Sequence, residues 1–143
     1  MNVIGHGVDL VLVDELRRWV DDPRDPFLPR CFTQEELDAL AGDADRIERL
    51  AGRFAAKEAV LKALGTGFGA GVAFSDVIVR RAAGSPPEVS LVGGAAVAAA
   101  ARGITGWILS ISHAGGMAMA SALALGDPAQ AAGDDPAQPG GGR

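Results

Sequence analysis

One carboxylate, Glu58, stands among Arg53, Lys57 and Lys62 in the stretch Arg46 to Leu64, and Gly65-Thr66-Gly67 follows at once. Ile47, Leu50, Ala51, Phe54 and Leu61 keep the three-and-four spacing of a buried helix face. Glu58 falls inside that stripe, between Phe54 and Leu61. A carboxylate on a core-facing stripe must be paired, hydrogen-bonded or bound to a metal, because burying it bare is strongly unfavourable. An acid flanked by bases beside flexible backbone suits a metal-bound phosphate. A second acid, Asp9, interrupts the apolar run Val8-Asp9-Leu10-Val11. Two carboxylates from separate elements can hold magnesium, which keeps several waters and takes its remaining ligands from phosphate oxygens. Such an ion neutralises phosphate charge and acts as a Lewis acid.

Each residue also has a plainer reading. Asp9 could be a strand-edge carboxylate bonded to backbone, and Glu58 an i,i+4 partner of Lys62 on a solvated face. Lys57 and Lys62 are candidates for phosphate contact, or they line a solvated helix face. Arg53 and Lys57 are four residues apart. Like charges at that spacing are mildly destabilising unless an anion lies between them. Gly65-Thr66-Gly67 is either a left-handed helix cap or a loop whose amides approach a ligand. It is not a P-loop, because no Gly-Lys-Ser/Thr follows. His113 closes Ser110-Ile111-Ser112-His113 where a strand meets a glycine-rich turn; its imidazole could accept a proton near neutral pH. His6, between two glycines, reads as structural. No Cys/His cluster has zinc-ligand spacing, and no Gly-x-Ser-x-Gly nucleophile motif is present.

The elements that must position these residues follow from pattern. Val3 to Val13 reads as a strand buried on both faces, with Gly5 and Gly7 marking close approach of another backbone or a ligand. Asp14 to Val20 reads as a short helix, and Asp21 to Arg30, with three prolines, as a loop. Thr33 to Leu40 is a helix: Thr33 and Glu36 have capping-box spacing, and Phe32 and Leu37 that of a hydrophobic staple. Gly42 to Asp45 is a break before the long helix, Arg46 to Leu64. Gly65 to Gly71 is a flexible connection. Val72 to Arg80 and Glu88 to Val92 read as strands around the turn Gly84-Ser85-Pro86-Pro87. Gly94 to Arg102 is an alanine-rich helix. Trp107 to Ser112 and Met117 to Leu125 make a hairpin. From Gly126 onward Gly, Pro, Ala, Gln and Asp dominate, the composition of a disordered tail. Strands mixed among helices, without a repeating βα unit, indicate an α+β domain over residues 1–125.

Bulk composition narrows the function. The 143 residues suffice for one domain with a real core. A net charge of -5 disfavours general nucleic-acid binding, which needs a basic surplus. Cys31 is the single cysteine, so no internal disulfide forms, as expected of a reducing compartment. No apolar run approaches the ~20 residues that span a bilayer, and no secretory signal opens the sequence. A cytoplasmic location is the expectation.

Five segments together resemble the short-type 4′-phosphopantetheinyl transferases, the holo-[acyl-carrier-protein] synthases. They are Ile4-Gly5-His6-Gly7-Val8-Asp9-Leu10, Phe32-Thr33-Gln34-Glu35-Glu36-Leu37, Leu50-Ala51-Gly52-Arg53-Phe54-Ala55-Ala56-Lys57-Glu58-Ala59, Lys62-Ala63-Leu64-Gly65-Thr66-Gly67 and Ser110-Ile111-Ser112-His113. They run in family order from about residue 3 to 125. The resemblance implies transfer of the phosphopantetheine arm of coenzyme A to a serine of an apo acyl carrier protein, releasing adenosine 3′,5′-bisphosphate. It implies Asp9 and Glu58 as magnesium ligands and Lys62 at the pyrophosphate. Arg53 and Lys57 would meet the coenzyme A phosphates, and Gly65 and Thr66 would line the nucleotide pocket. His113, or a metal-held water, would take the serine proton. The implied fold is a compact α+β subunit, a mixed or antiparallel sheet packed with one long helix and shorter ones. The implied assembly is a homotrimer with sites at subunit interfaces. Fatty-acid synthesis is the commonest role of this type, with polyketide carriers as the alternative.

Two departures stand out. Where the family has a Glu-Arg pair after the first strand, this chain has Asp14-Glu15, with the arginines shifted to Arg17 and Arg18. Docking of an acidic carrier would then fall to Arg17, Arg18 and Arg24 or Arg30. The family's Gly-Lys/Arg-Pro turn is here Gly84-Ser85-Pro86, so Pro86 would meet the nucleotide of a neighbouring subunit without an adjacent cation.

Overall fold

The long helix is alanine-rich on one side, and that side sets the architecture. A computed structural model describes residues 1–66 and 71–132 of the chain. Helix α4 (Arg46–Leu64) spans the length expected of it. Its Ala51, Ala55, Ala56, Ala59 and Ala63 are buried against a sheet whose strand β5 (Met117–Gly126) presents Ala118, Ala120, Ala122 and Ala124, also buried. Small residues on both surfaces let helix and sheet backbones approach closely. Closest of all is β1 (Asn2–Leu12): a methyl group added at Gly7 would collide with the carbonyl of Ala59, and one at Gly5 with that of Ala63. The two glycines are where a second backbone passes, as expected.

Among the described residues the main sheet has the order β1-β5-β4, with β4 spanning Ile104–Ala114 and both pairings antiparallel. A separate antiparallel hairpin joins β2 (Val77–Arg80) to β3 (Glu88–Leu91). Side chains alternate along β1. Gly5, Gly7, Asp9 and Val11 share the side facing α4, while Val8, Leu10 and Leu12 point away and are exposed. Met119 and Ile108 extend that exposed apolar face across β5 and β4. The expectation of a first strand buried on both faces is therefore corrected. Within one chain only the helix-facing side is covered.

Further corrections have local causes. Residues 21–30 are not all loop, because α2 (Phe27–Cys31) follows α1 (Val13–Asp21). Pro26 is at the N-cap and Pro29 in the first turn, where backbone N–H groups have no intrahelical acceptor, so neither proline breaks it. Phe27 anchors the segment, packing against Trp19 and Phe54 with ring centroids 5.2 Å apart in each case. Helix α3 (Gln34–Ala39) begins with the expected capping box at Thr33 and Glu36. Strand β2 starts at Val77, not Val72, because Phe74–Asp76 forms a 3₁₀ turn closed by the Asp76 carboxylate on the Ala73 N–H. Helix α5 (Gly93–Ala101) precedes β4. The supposed tail begins as ordered structure: Pro128–Gln130 is a 3₁₀ turn, and the Ala132 N–H donates to the Ala100 carbonyl at 2.8 Å. Residues 67–70 of the glycine-rich connection and residues 133–143 of the tail lie outside the described residues.

Candidate active site

Asp9 and Glu58 meet. Asp9 projects from the helix-facing side of β1, opposite Ala120 on β5, and Glu58 from the fourth turn of α4. Both line one cavity of about 390 Å³, together with Glu15, Trp19, Phe54 and Met117. The apolar walls account for the electrostatics. Burial, reinforced by the nearby Asp9 charge and partly offset by Lys62, pushes the Glu58 carboxyl above the usual range. The Lys62 ammonium donates to Asp9 Oδ1 at 2.9 Å and to the Val8 carbonyl at 3.0 Å. Its ion pair is thus with Asp9 across the helix–strand junction.

This donor set fits magnesium. Two carboxylates that repel one another in a partly apolar cavity leave negative charge that one ammonium does not balance. No group of three or more His, Cys, Asp or Glu side chains arranged for a metal occurs among the described residues. The pair would leave the remaining positions to water and phosphate oxygens, the division magnesium tolerates well.

Lys57 is elsewhere, and the expectation that it contacts a coenzyme A phosphate is corrected. It is fully buried and ion-paired with Glu36 Oε1 at 2.8 Å. It also donates to the Phe74 carbonyl at 3.2 Å and to the Val77 carbonyl. Three acceptors occupy an ammonium that has three hydrogens. Burial depresses its pKa, and Glu36 works against that effect. Glu36 in turn accepts from the Thr33 N–H at 2.9 Å and from the Val79 N–H at 3.1 Å. The pair therefore ties α3, α4 and β2 together. The capping-box spacing pointed to Glu36 only as a helix start. Its partner lies 21 residues away, a separation no local pattern reveals.

The remaining candidates are divided among neighbouring surfaces. Arg53 is half-buried and lines a cavity of about 370 Å³ that also contains Pro86, Arg80 and Arg81. Burial lowers the Arg53 pKa, with the Arg49 and Arg81 charges adding to the effect and Glu36 and Asp43 opposing it. Pro86 shares this cavity with Arg53 of its own chain. Gly65 ends α4 in the left-handed conformation, its N–H bonding the Leu61 and Lys62 carbonyls; it is a true cap. Thr66 follows, with a buried hydroxyl.

His113 lies at the end of β4 over Gly52 of α4; a methyl group added at Gly52 would press on its ring. Its Nε2 lies 2.8 Å from the Glu48 carbonyl. A carbonyl only accepts, so Nε2 carries the proton and Nδ1 of the neutral ring is the basic nitrogen. His113 lines a separate cavity of about 310 Å³ with Asp14, Arg17 and Met117, and Met117 also borders the carboxylate cavity. His6 is exposed, 3.0 Å from the Ser121 hydroxyl on the adjoining strand. Sequence reasoning missed Glu15, Trp19 and Met117 as walls of the carboxylate cavity. They come from two elements, α1 and β5, and carry no shared motif.

Comparison with known proteins agrees with this fold and identifies its family. The model of the 4′-phosphopantetheinyl transferase superfamily matches residues 5–112. A holo-[acyl-carrier-protein] synthase of Desulforudis audaxviator is 47% identical over 124 residues, covering 87% of this chain and 94% of the relative. One from Beutenbergia cavernae is 43% identical over 123 residues, covering 85% and 97%. Among solved structures, the synthase of Neisseria meningitidis superposes with a TM-score of 0.77 at 31% identity, covering 87% of this chain and 99% of that one. The Helicobacter pylori synthase, solved in complex with coenzyme A, superposes with a TM-score of 0.71 at 28% identity, covering 84% and 99%.

Proposed function

The chain belongs to the 4′-phosphopantetheinyl transferase superfamily and is a transferase, and from that premise we propose that it moves the 4′-phosphopantetheine moiety of coenzyme A to a serine of an apo acyl carrier protein. The reaction requires magnesium and releases adenosine 3′,5′-bisphosphate, and it serves fatty-acid or polyketide synthesis. The observation that carries this reading is the shared cavity of Asp9 and Glu58, with the Lys62 ammonium bonded to Asp9.

Phosphoryl-type transfer depends on positioning and charge neutralisation more than on covalent chemistry by the protein. Magnesium held by Asp9 and Glu58 would neutralise the pyrophosphate and act as a Lewis acid. Asp9 and the Val8 carbonyl hold the Lys62 ammonium in place, where it stabilises charge on the departing phosphate. Arg53, with Arg49 and Arg81 nearby, supplies positive charge for a further phosphate of coenzyme A. Gly65, Thr66 and Pro86 frame the nucleotide. His113 Nδ1 accepts the serine proton. Trp19, Phe54 and Met117 keep bulk water from the reacting phosphate. Arg17 and Arg18 are exposed on α1 and Arg24 beyond it, with Asp14 beside Arg17 and Asp22 beside Arg24, and these arginines would meet an acidic carrier. The exposed apolar face of the sheet supports the homotrimer. None of the described helices is long and apolar enough to cross a membrane.

The test is direct. Purified protein, magnesium, coenzyme A and an apo carrier protein should give a carrier whose mass has grown by one phosphopantetheine. Glu58→Ala or Asp9→Ala should abolish the shift while leaving a folded protein. Carriers of both fatty-acid and polyketide type that emerge unmodified would overturn the reading.

A further inference from the structure

A helix ends with carbonyl groups that have no partner of their own. At the end of α4 the Gly65 N–H serves Leu61 and Lys62. The carbonyls of Ala63 and Leu64 are met from outside, by the guanidinium of Arg102. Its Nη1 donates to Ala63 at 2.8 Å and to Leu64 at 2.6 Å. Its Nη2 donates to the Ile4 carbonyl at 3.1 Å. Ile4 is no ordinary strand residue. Strand β1 pairs Val3 with Leu125 and Gly5 with Ala124, so Ile4 is the extra residue of a bulge and lacks a partner on β5. One half-buried side chain at the C-terminus of α5 thus meets the end of α4 and the irregular point of β1.

We propose that Arg102 is a positioning residue for the transfer reaction, setting β1 against the C-terminal half of α4 so that Asp9, Lys62 and the Gly65-Thr66 turn keep their relative places. The inference rests on the function proposed above. Lys62 is on the turn that Arg102 caps, and its ammonium bridges to Val8 and Asp9 on the strand that Arg102 holds at Ile4. A slide of β1 along α4 would carry Asp9 away from Lys62 and Glu58. A fork of donors is required, because three carbonyls must be met from one point, and a lysine offers a single charged centre instead. A positive group there also complements the negative end of the helix dipole.

The experiment compares wild type with Arg102→Met, Arg102→Lys and Arg102→Gly in steady-state carrier modification, varying coenzyme A and carrier separately. Arg102→Met should lower kcat/KM for coenzyme A by about 10- to 100-fold, the order that a misplaced reacting geometry costs, with KM for the carrier unchanged. Arg102→Lys should recover part of the loss. Guanidinium ion added to Arg102→Gly should recover more than an equal concentration of ammonium. Should Arg102→Met fail to fold, the Lys variant and the rescued Gly variant carry the same comparison. Variants that melt earlier but keep wild-type kinetics for coenzyme A would overturn the inference, as would a loss expressed as a raised KM for the carrier with kcat unchanged. A wild-type protein that modifies no carrier would instead defeat the function on which the inference rests.

Discussion

Glu58 carries its charge reluctantly, because burial and Asp9 both favour the neutral acid. Replacing it with glutamine removes the proposed magnesium ligand and a repulsion together. Glu58→Gln should lower turnover by about 10²- to 10³-fold, the usual loss of an electrostatic group at a reacting centre. In chelator, its melting temperature should be no lower than that of wild type, as differential scanning fluorimetry would show. Cys31 makes the opposite case, a residue whose environment removes it from chemistry. Burial raises its thiol from 9.0 to about 11, with Lys57 pulling the other way. The folded state therefore keeps the neutral thiol while an unfolded chain ionises from about pH 9. Cys31 contributes no pH dependence below that value and a loss of stability between pH 9 and 11. Native protein at pH 7 should resist iodoacetamide until it unfolds, as mass spectrometry of quenched samples would show. At the residue scale Asp9 and Glu58 stood out in the sequence, because an acid in an apolar run is an anomaly visible in one dimension. Lys57 was not legible. A lysine on a helix looks the same whether it meets solvent or a carboxylate 21 positions earlier.

Elements meet here through small residues and one buried ion pair, and each makes a specific demand. Gly7→Ala places a methyl group against the Ala59 carbonyl, backbone that cannot rotate away. It should destabilise by at least the ~1–3 kcal/mol typical of overpacking, whereas Gly106→Ala, with open space around it, should stay within about 0.5 kcal/mol. Urea unfolding of the two variants checks the contrast. Lys57→Met leaves Glu36 charged and buried among α3, α4 and β2, and should cost about 3–5 kcal/mol. Adding Glu36→Gln should recover part of that loss by removing the unpaired charge, and a double-mutant cycle measures how much. The long helix, the β4–β5 hairpin and the capping box were legible because each announces itself in local spacing. Helix α2 was hidden by the run of prolines, of which Pro26 and Pro29 fall at a helix start, where the usual meaning of proline is reversed. The 3₁₀ turn before β2 was hidden because its closing bond, from Ala73 to Asp76, suits a turn without any strand-breaking residue in the run.

The whole molecule presents Val8, Leu10, Leu12, Ile108 and Met119 to solvent on one sheet face. A patch of that kind on a small protein usually marks an interface. The homotrimer proposed above gives it an occupant, and equilibrium sedimentation should return three times the chain mass of 14.5 kDa. Leu10→Lys combined with Ile108→Lys should shift the mass toward the single chain and, if the sites are built between subunits as the proposed trimer implies, reduce turnover. A wild-type mass of one chain would remove the trimer while leaving the carboxylate cavity intact.

The sequence by itself determined the family and the α+β character and singled out Asp9 and Glu58 as anomalies, because segment order, hydrophobic period and chemically awkward residues are properties of the chain as written. Only the tertiary structure decided which cations face a ligand and which hold the fold. Lys57 went to Glu36, Lys62 to Asp9, and Arg102 to three carbonyls on two elements. The physical reason is that a cation's role is set by the acceptors within about 3 Å of it. Those acceptors come from segments whose proximity depends on how closely β1 and its glycines can lie against α4.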